Sequence, residues 1–381
     1  MKIALYQPWI YLYGGLEKSL LEVVTRSQHD WVVFTGHYEP ENTFPEFKNV
    51  DVRVLNSTSV KRTLFGTLIS AFHIARQKIP AEDFDAVVVW CDGLGDFISF
   101  RNHSLPLMNI CSTPLRAAFD PVYERQVLAN SGFLYHLSYK LFKFGFKIVD
   151  KVAWRYFDSI ITTSTEVKNR IIEGELCTDE SRMVMAYPGI EFKSSLKDVT
   201  YEPFILLPGR IMWTKNIQLA ISAFLKADLN TPWKLKIAGF LDEKSQTYLE
   251  ELKELANRSS NIEFIISPSH QELSLLYKQT AFCLFPPLNE DWGIVPLESM
   301  NHAKAVIANA SGGPKESIEN KKTGFLLQPE VDAWAKKIRL LAGDIPLCKS
   351  MGINANERVK SFSWSEFVKR IDNTLSNIIK E

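Results

Sequence analysis

Two cations in one short segment of the second half suit the binding of a phosphate. Gly209-Arg-Ile-Met-Trp-Thr-Lys-Asn216 places Arg210 and Lys215 in a glycine turn between a predicted strand and a predicted helix. Glycine lets a bound group approach the backbone closely, and both side chains form charge-assisted hydrogen bonds to phosphate oxygens. A reaction that leaves negative charge on a departing phosphate needs such donors fixed in advance. A solvated loop with two surface cations is the alternative interpretation.

Residues 290–298 supply carboxylates beside a second anion site. Their order, Glu-Asp-Trp-Gly-Ile-Val-Pro-Leu-Glu, predicts a turn at Gly293 and then a helix with proline in its first turn. The N–H groups of Ile294 and Val295 would lie free at the helix N-terminus, where phosphate oxygens bind. Glu290 would meet a sugar attached to that phosphate, and Glu298, about two turns later, would accept ribose hydroxyls. An acidic helix start placed there only for its dipole is the alternative.

Two other glycine turns stand between predicted strands and helices. Ser311-Gly-Gly-Pro-Lys-Glu316 repeats the arrangement downstream, and Tyr13-Gly-Gly-Leu-Glu17 joins the first strand to the first helix. Adjacent glycines let the backbone come close to a ligand, here through Gly15. A simple loop is the alternative for each turn taken alone.

Short β-branched runs alternate with longer helical patterns along the whole chain. This alternation is typical of βαβ units, in which helices cover both faces of a parallel sheet. The strands predicted in the first half are residues 2–6, 31–35, 50–55, 86–90, 107–111, 159–163 and 183–186. The polar stretch 191–203 is interpreted as a linker. The strands predicted after it are residues 204–207, 234–238, 262–266, 282–285, 305–308 and 325–327. Together they predict an α/β protein with two Rossmann-like domains and a ligand cleft between them.

Composition limits the classes of function. The 381 residues carry 44 basic and 44 acidic side chains, so no net positive field would attract nucleic acid. Five scattered cysteines without a C-x-x-C pair argue against a disulfide framework or a zinc site and favour a reducing cytosol. The sequence runs from Met1 into a strand, so we expect no cleavable signal, and no stretch is apolar enough to span a bilayer.

The order of motifs resembles one known family. It reads G-G-x-E, T-P-L-R, G-R-x4-K-N, E-D-W-G-I-V-P-L-E, G-G-P-K-E and T-G-F, which is similar to the family-4 retaining glycosyltransferases of the GT-B fold. The resemblance touches both halves and implies a C-terminal helix that crosses back to the first domain. We therefore assign residues 1–194 to an N-terminal acceptor-binding domain. Residues 195–360 are assigned to a C-terminal nucleotide-sugar-binding domain, and 361–381 to the crossover helix.

The resemblance implies a role for each residue named above. Arg210 and Lys215 would bind the donor diphosphate, Glu298 its ribose, and Glu290 the sugar being transferred. Glu290, Arg210 and Lys215 are thus the expected catalytic group. The other expected donor-binding residues are Gly15, Gly209, Gly239, Ser267, Gly293, Ile294 and Val295.

The sugar and the acceptor side depend on a first-half segment. Cys111-Ser-Thr-Pro-Leu-Arg116 is similar to a segment of mannosyltransferases in this family that usually reads H-T-P, but Ser112 stands in the place of the histidine. A histidine there contacts the donor sugar, so its replacement leaves the sugar identity open. We expect mannose from GDP-mannose, with UDP-sugars as the alternative. Glu17, Ser112 and Arg116 are the acceptor-side candidates, and the acceptor is expected to be a glycan or a lipid-linked saccharide.

Three classes of function stay open, and for the transferase we expect neither a cofactor nor a metal. The first is a retaining hexosyltransferase, the second another GT-B enzyme such as a nucleotide-sugar epimerase, and the third a non-catalytic sugar-nucleotide sensor. The Asp-x-Asp triplet Asp83-Phe-Asp85 precedes a predicted strand instead of following it, which is the wrong end for metal-dependent transfer. Arg210, Lys215 and helix N–H groups would replace the cation.

A basic, amphipathic helix is predicted at residues 133–157. One interpretation is peripheral contact with an anionic membrane, or with a lipid-linked pyrophosphate, by an otherwise cytoplasmic protein. The other is a core-packed helix with a solvated basic face. The basic face holds Lys140, Lys143, Lys147, Lys151 and Arg155, and the apolar face holds Leu134, Leu141, Ile148, Val149, Val152 and Tyr156.

Overall fold

The structure, a computed structural model, describes residues 1–55, 63–91, 93–129, 131–192, 196, 198–230 and 232–380. The chain divides into two compact units, one made of Met1–Pro188 with Trp364–Glu381 and the other of Gly189–Ser363. The sequence placed the first boundary between residues 194 and 195, which lie outside the described residues. It placed the second boundary after residue 360, a little before the observed division.

The first unit is built on a parallel sheet. Its strands and those of a small separate ladder are β1 (Lys2–Tyr6), β2 (Trp9–Ile10), β3 (Asp30–Thr35), β4 (His37–Tyr38), β5 (Val52–Val54), β6 (Ala86–Cys91), β7 (Leu107–Cys111), β8 (Ser159–Thr162) and β9 (Met183–Met185). Among the described residues the sheet order is β5-β3-β1-β6-β7-β8-β9. Every strand predicted in this half is present, with ends shifted by one or two residues. The two-residue ladder of β2 and β4 was not predicted.

Helices cover both faces of this sheet because its strands are apolar on both sides. The helices of the unit are α1 (Gly15–Arg26), α2 (Leu64–Arg76), α3 (Arg116–Phe119), α4 (Pro121–Leu128), α5 (Phe133–Trp154) and α6 (Thr165–Glu173), with the last helix of the chain. Ile3 and Leu5 face α1 and that last helix. Ala4 and Tyr6 alternate with them and face α2, α5 and α6.

The second unit repeats the design. Its strands are β10 (Glu202–Pro208), β11 (Lys234–Gly239), β12 (Ile262–Ile266), β13 (Thr280–Phe285), β14 (Ala305–Asn309) and β15 (Gly324–Leu327). The helices that follow α6 in the chain are α7 (Ile217–Ala227), α8 (Gln246–Ala256), α9 (His270–Gln279), α10 (Ile294–Asn301), α11 (Pro314–Ser317), α12 (Val331–Gly343), α13 (Ile345–Val359) and α14 (Trp364–Ile378). The described strands pair in parallel in the order β12-β11-β10-β13-β14-β15, and all of those predicted are present.

The predicted linker is too long at its C-terminal end. Glu202 and Pro203 were counted with it but begin β10. Residues 193–195 and 197 of the predicted linker lie outside the described residues.

Helix α14 packs with the first unit. Phe367 and Ile371 join the core on the α1 side of the sheet. The buried carboxylate of Asp372 accepts hydrogen bonds from the Ser27 hydroxyl at 2.6 Å and from the Gln28 backbone N–H at 3.2 Å. Apolar burial and one buried polar anchor therefore hold the C-terminal helix on this unit.

Helix α5 packs with a face that the sequence did not single out. Its buried residues are Tyr139, Phe142, Phe146, Asp150, Ala153 and Trp154. The residues grouped as its apolar face are mostly exposed: Leu134, Leu141, Ile148, Val149 and Val152. The aromatic stripe, not the aliphatic one, is the face that enters the core.

In the first sheet, β3 and β5 are added on one side of β1 and the strands from β6 onward on its other side, so the strand order changes direction between β1 and β6. In the second sheet the same change lies between β10 and β13. In open parallel sheets, ligands bind outside the carboxyl ends of the strands at such a reversal. The carboxyl ends of the strands at each reversal are therefore the expected ligand site of each unit.

Candidate functional site

The loops after β10, β11 and β12 are fixed side by side by close backbone contact. Gly209, with a φ of +133°, donates its N–H to the Ala238 carbonyl at 3.0 Å. Ser267 donates its N–H to the Gly239 carbonyl at 2.8 Å. A Cβ on Gly239 would overlap the carbonyl oxygen of Gly209, so only glycine allows this approach. Gly209, Gly239 and Ser267 thus shape the edge that carries Arg210.

Lys215 and Glu290 lie together at this edge. The Lys215 ammonium lies 2.8 Å from Oε1 and 2.9 Å from Oε2 of Glu290, and both side chains are about four-fifths buried. Lys215 ends a 3-10 turn, Trp213–Lys215, in which its N–H donates to the Met212 carbonyl at 2.9 Å. The structure therefore joins two residues that the sequence assigned to one site from separate motifs.

The cations of this edge keep donors for a ligand. A lysine ammonium has three N–H donors, so Lys215 can hold Glu290 and still donate to an anion. Arg210 is exposed, and within the described ranges no acidic side chain pairs with it. One paired and one open cation therefore follow strand β10.

Two asparagines fix the turn that precedes Glu290. Asn216, in the left-handed region with a φ of 50°, donates its side-chain N–H to the Pro286 carbonyl at 3.2 Å. Asn309, buried at the end of β14, donates to the carbonyls of Pro286 and Pro287, the latter at 3.0 Å. Sequence reasoning missed Asn309. Its signal was a polar residue closing an otherwise apolar strand.

The second glycine turn supports the Glu290 loop from the other side. Gly313 donates its N–H to the Glu290 carbonyl at 2.9 Å, and the Ser311 hydroxyl accepts from the Asn289 N–H at 3.0 Å. Gly312 has a φ of +65°, and a Cβ there would overlap the Glu290 backbone. A Cβ on Gly313 would overlap the carbonyl oxygen of Trp292. The paired glycines are thus required for backbone packing beneath Glu290.

Helix α10 presents an uncapped N-terminus next to this loop. It begins at Ile294, after Gly293 in the left-handed region with a φ of +85°, and no side chain caps it in the described part of the chain. The first N–H groups of a helix have no partner within the helix. Those of Ile294 and Val295 therefore remain available to an anion, and both residues are partly exposed.

Glu298 is held from behind by a buried tyrosine. The Tyr277 hydroxyl donates to Glu298 Oε2 at 2.7 Å, and the Tyr277 ring stacks on His302 with centroids 5.1 Å apart. Complete burial, with the adjacent charge of Glu298, raises the pKa of Tyr277 well above its usual value. The hydroxyl therefore stays a donor to Glu298. Tyr277 is a second residue that sequence reasoning missed.

The candidates of the first unit lie at the carboxyl edge of its own sheet. Glu17 is buried in the first turn of α1, against Gly14, while Gly15 is exposed with open space where a Cβ would stand. Ser112 follows β7, and its hydroxyl accepts from the Trp90 indole N–H at 2.8 Å. Where the similar mannosyltransferase segment usually has a histidine, this chain has a small hydroxyl held by tryptophan.

Arg116 is engaged in an ion pair. It lies 2.7 Å from the buried Asp120, which Arg170 also approaches at 3.7 Å. Burial alone would raise the pKa of Asp120, but the charges of Arg116 and Arg170 outweigh it and lower that pKa. Asp120 is thus a carboxylate that fixes Arg116 beside the Thr113-Pro114 turn, where Thr113 accepts from Arg170 at 2.6 Å.

The Asp-x-Asp triplet lies away from this edge, as predicted. Asp83 and Asp85 are exposed and precede β6, and Asp85 accepts the backbone N–H of Lys2 at 2.7 Å.

The second unit matches a known protein family. Residues 190–358, nearly the whole second unit, match the family described as glycosyl transferases group 1. The second unit therefore resembles the group 1 glycosyltransferases. The whole chain is 24% identical to an alpha-1,3/1,6-mannosyltransferase of Rhizomucor pusillus, over 94% of this chain and 88% of that protein. It is 26% identical to the Kluyveromyces lactis protein of the same description, over 99% and 85% of the two chains.

The fold of the chain is GT-B, as the family resemblance implied. The crystal structure of Anabaena HepE in complex with UDP and glucose superposes with a TM-score of 0.74 and covers 99% of this chain and 100% of its own. Identity to it is 18%, so the likeness shows the fold alone.

Proposed function

We propose that this protein is a glycosyltransferase that transfers mannose from GDP-mannose to a glycan or lipid-linked saccharide with retention of configuration. The observation that carries the proposal is the Lys215–Glu290 pair beside the uncapped N-terminus of α10. The similarity to alpha-1,3/1,6-mannosyltransferases supports mannose as the sugar.

Each group at this edge has a task as the glycosidic bond breaks. Negative charge grows on the departing diphosphate, and Arg210, Lys215 and the first N–H groups of α10 stabilise it. Glu290, held by Lys215, orients the sugar, while Glu298, held by Tyr277, accepts ribose hydroxyls. A double-displacement route would require a free carboxylate as the nucleophile at the sugar. Because Glu290 is held by Lys215, we assign it to orientation of the sugar.

We further propose transfer without a metal ion or cofactor. In this proposal Arg210, Lys215 and the helix N–H groups bind the diphosphate and supply the charge stabilisation that Mg²⁺ or Mn²⁺ supplies in metal-dependent transferases. Treatment with EDTA should leave the rate unchanged. Loss of transfer that Mg²⁺ or Mn²⁺ restores would contradict this part of the proposal.

The acceptor is proposed to reach the edge formed by Glu17, Ser112 and Arg116. A lipid-linked acceptor requires the enzyme to work at a membrane surface, and no helix among the described residues is long and apolar enough to cross a bilayer. We therefore propose a cytoplasmic enzyme with peripheral membrane contact through helix α5. The five cysteines are buried free thiols, which fits a reducing compartment.

Product formation tests the proposal. GDP-mannose is incubated with the protein and a short-chain lipid-linked saccharide, and the anomeric configuration of the product is read by NMR. An α-linked mannoside with released GDP supports the proposal. Isomerised donor would instead identify an epimerase, and donor binding without turnover a sensor. A thermal-shift series with GDP, UDP, ADP and CMP identifies the nucleotide, because a ligand of the folded state raises its apparent stability.

A further inference from the structure

Helix α5 carries an uninterrupted apolar stripe on its outer side. Residues 134, 137, 141, 144 and 148 follow one another at spacings of three and four, which puts them on one face of a helix. They are large and exposed: Leu134 by 79%, Phe144 by 69% and Leu141 by 65%. The aromatic stripe on the opposite side already fills the core, so the outer stripe is not needed for folding.

A second apolar face lies on the same side of the first unit. In α2, Phe65, Leu68, Ile69 and Phe72 are exposed, Phe65 by 73%. Helices α2 and α5 cover the same face of the sheet, and both pack against the segment Gly95–Arg101. Their outer faces therefore look away from one sheet face in the same general direction. Single exposed apolar residues are ordinary, but two such helix faces mark an interaction surface.

The charges beside these faces are basic. The acid of α5, Asp150, is fully buried, and α2 contains no Asp or Glu. Lys140 and Arg155 are exposed, and neither forms an ion pair within the described ranges. Lys143 and Lys151 are balanced by Glu124 and Glu175. An apolar stripe flanked by unbalanced cations matches a surface with acyl chains beneath anionic headgroups.

We propose that the outer faces of α2 and α5 dock on an anionic lipid bilayer, with their aromatic and aliphatic side chains inserted at the headgroup boundary. A second copy of the chain fits less well, because pairing the α5 stripes would bring Lys140 and Arg155 of each copy toward like charges without exposed acids on α5 to balance them. The proposal rests on the peripheral contact of α5 in the proposed function and adds the outer face of α2 to it, and it does not depend on the identity of the donor sugar.

Vesicle flotation of the full chain tests the proposal. The probes are vesicles of phosphatidylcholine with phosphatidylserine, and vesicles of phosphatidylcholine alone. The variants are Leu141→Ser/Phe144→Ser/Ile148→Ser on α5 and Phe65→Ser/Phe72→Ser on α2. The matched control is Leu275→Ser/Ile353→Ser, which removes two exposed apolar side chains from the second unit. All of these side chains are exposed, so the variants should remain folded.

We expect binding to the anionic vesicles that weakens with salt. The α5 variant should lower the partition coefficient by about a hundredfold or more and the α2 variant by about tenfold, since each variant has less apolar surface to transfer from water into the bilayer. The control should bind like the wild type. Absence of wild-type binding, or equal binding of all variants, would overturn the proposal. So would a wild-type dimer in analytical ultracentrifugation that the α5 variant dissociates while vesicle binding is unchanged, since a second copy would then cover this face.

Transfer to a water-soluble acceptor, measured on the same samples, separates this proposal from the proposed function. Transfer without vesicle binding would contradict the membrane-docking proposal and leave the proposed function standing. Vesicle binding without transfer would contradict the proposed function and leave the membrane-docking proposal standing.

Discussion

Replacement of Lys215 by methionine should abolish most transfer while leaving the protein folded. Methionine keeps the length and apolar stem of the side chain but removes the ammonium that lies 2.8 Å from Glu290. If that ammonium also stabilises the departing diphosphate, its loss resembles the loss of one oxyanion donor, which costs about 3–4 kcal/mol and lowers kcat by about 10²–10³.

The cost to stability should be much smaller than the cost to catalysis. The pair is about four-fifths buried, between the surface case of about 0–1 kcal/mol and the fully buried case of about 3–5 kcal/mol. We therefore expect a loss of about 1–2 kcal/mol in the free energy of unfolding. Arg210→Ala should cost almost nothing in stability, because Arg210 is exposed, and still lower the rate by about a hundredfold.

Lys226→Met is the matched control. Lys226 forms a surface ion pair with Asp332 and lies in the last turn of α7. The assay is GDP release from GDP-mannose in the presence of acceptor, with urea unfolding of each variant in parallel. A fall of less than about tenfold for Lys215→Met, in a protein that unfolds like the wild type, would show that the diphosphate site is misplaced.

Three further predictions concern the surroundings of this site and the core of the first unit. Gly312→Ala should displace the Glu290 loop and lower kcat with little loss of secondary structure, because the φ of +65° and the Glu290 backbone leave no room for a Cβ; wild-type kinetics in this variant would show that the loop tolerates the shift. Tyr277→Phe should raise KM for the donor about fivefold at unchanged kcat, since the hydroxyl only positions Glu298; an unchanged KM would remove Glu298 from donor binding. Asp150→Asn should stabilise the fold, and more so at pH 8 than at pH 5. Burial beside Asp96 raises the pKa of Asp150 well above 3.8, so the free energy of unfolding of the wild type falls as pH rises above 3.8, while that of Asp150→Asn does not. Urea unfolding would contradict this if the difference in free energy of unfolding between the two proteins were the same at both pH values or smaller at pH 8.

Strands were the most predictable part of the fold. Runs such as 86–90 and 305–308 are continuous, β-branched and bounded by turn residues, and a fully buried parallel strand requires that composition. The ladder of β2 and β4 was missed because two residues are too few to show a period.

Helix α5 shows where periodicity stops being informative. It has an aromatic stripe and an aliphatic stripe, and both repeat at helical spacing. A wheel cannot tell which of two apolar faces enters the core. That choice depends on the sheet beneath the helix, where Phe142 and Phe146 pack with Phe97 and Phe119.

Site residues that belong to a sequence motif could be predicted, and those that only contact such residues in the fold could not. Lys215 and Glu290 were assigned to one site from two motifs, and the structure pairs them directly. Asn309 and Tyr277 act only as supports for residues far away in the sequence, so no local pattern identifies them. Gly312 and Gly313 were predicted only as a glycine turn between a strand and a helix, and the structure shows that this turn packs against the backbone of Glu290 and Trp292.

Calorimetric titration with GDP tests most directly whether the carboxyl edge of the second unit holds the donor diphosphate. Wild type and Lys226→Met should bind GDP with the same affinity, while Arg210→Ala/Lys215→Met should bind it at least about a hundredfold more weakly, since both charge-assisted contacts to the diphosphate are lost. Equal affinity of all three proteins for GDP would contradict the assignment of the donor site to this edge.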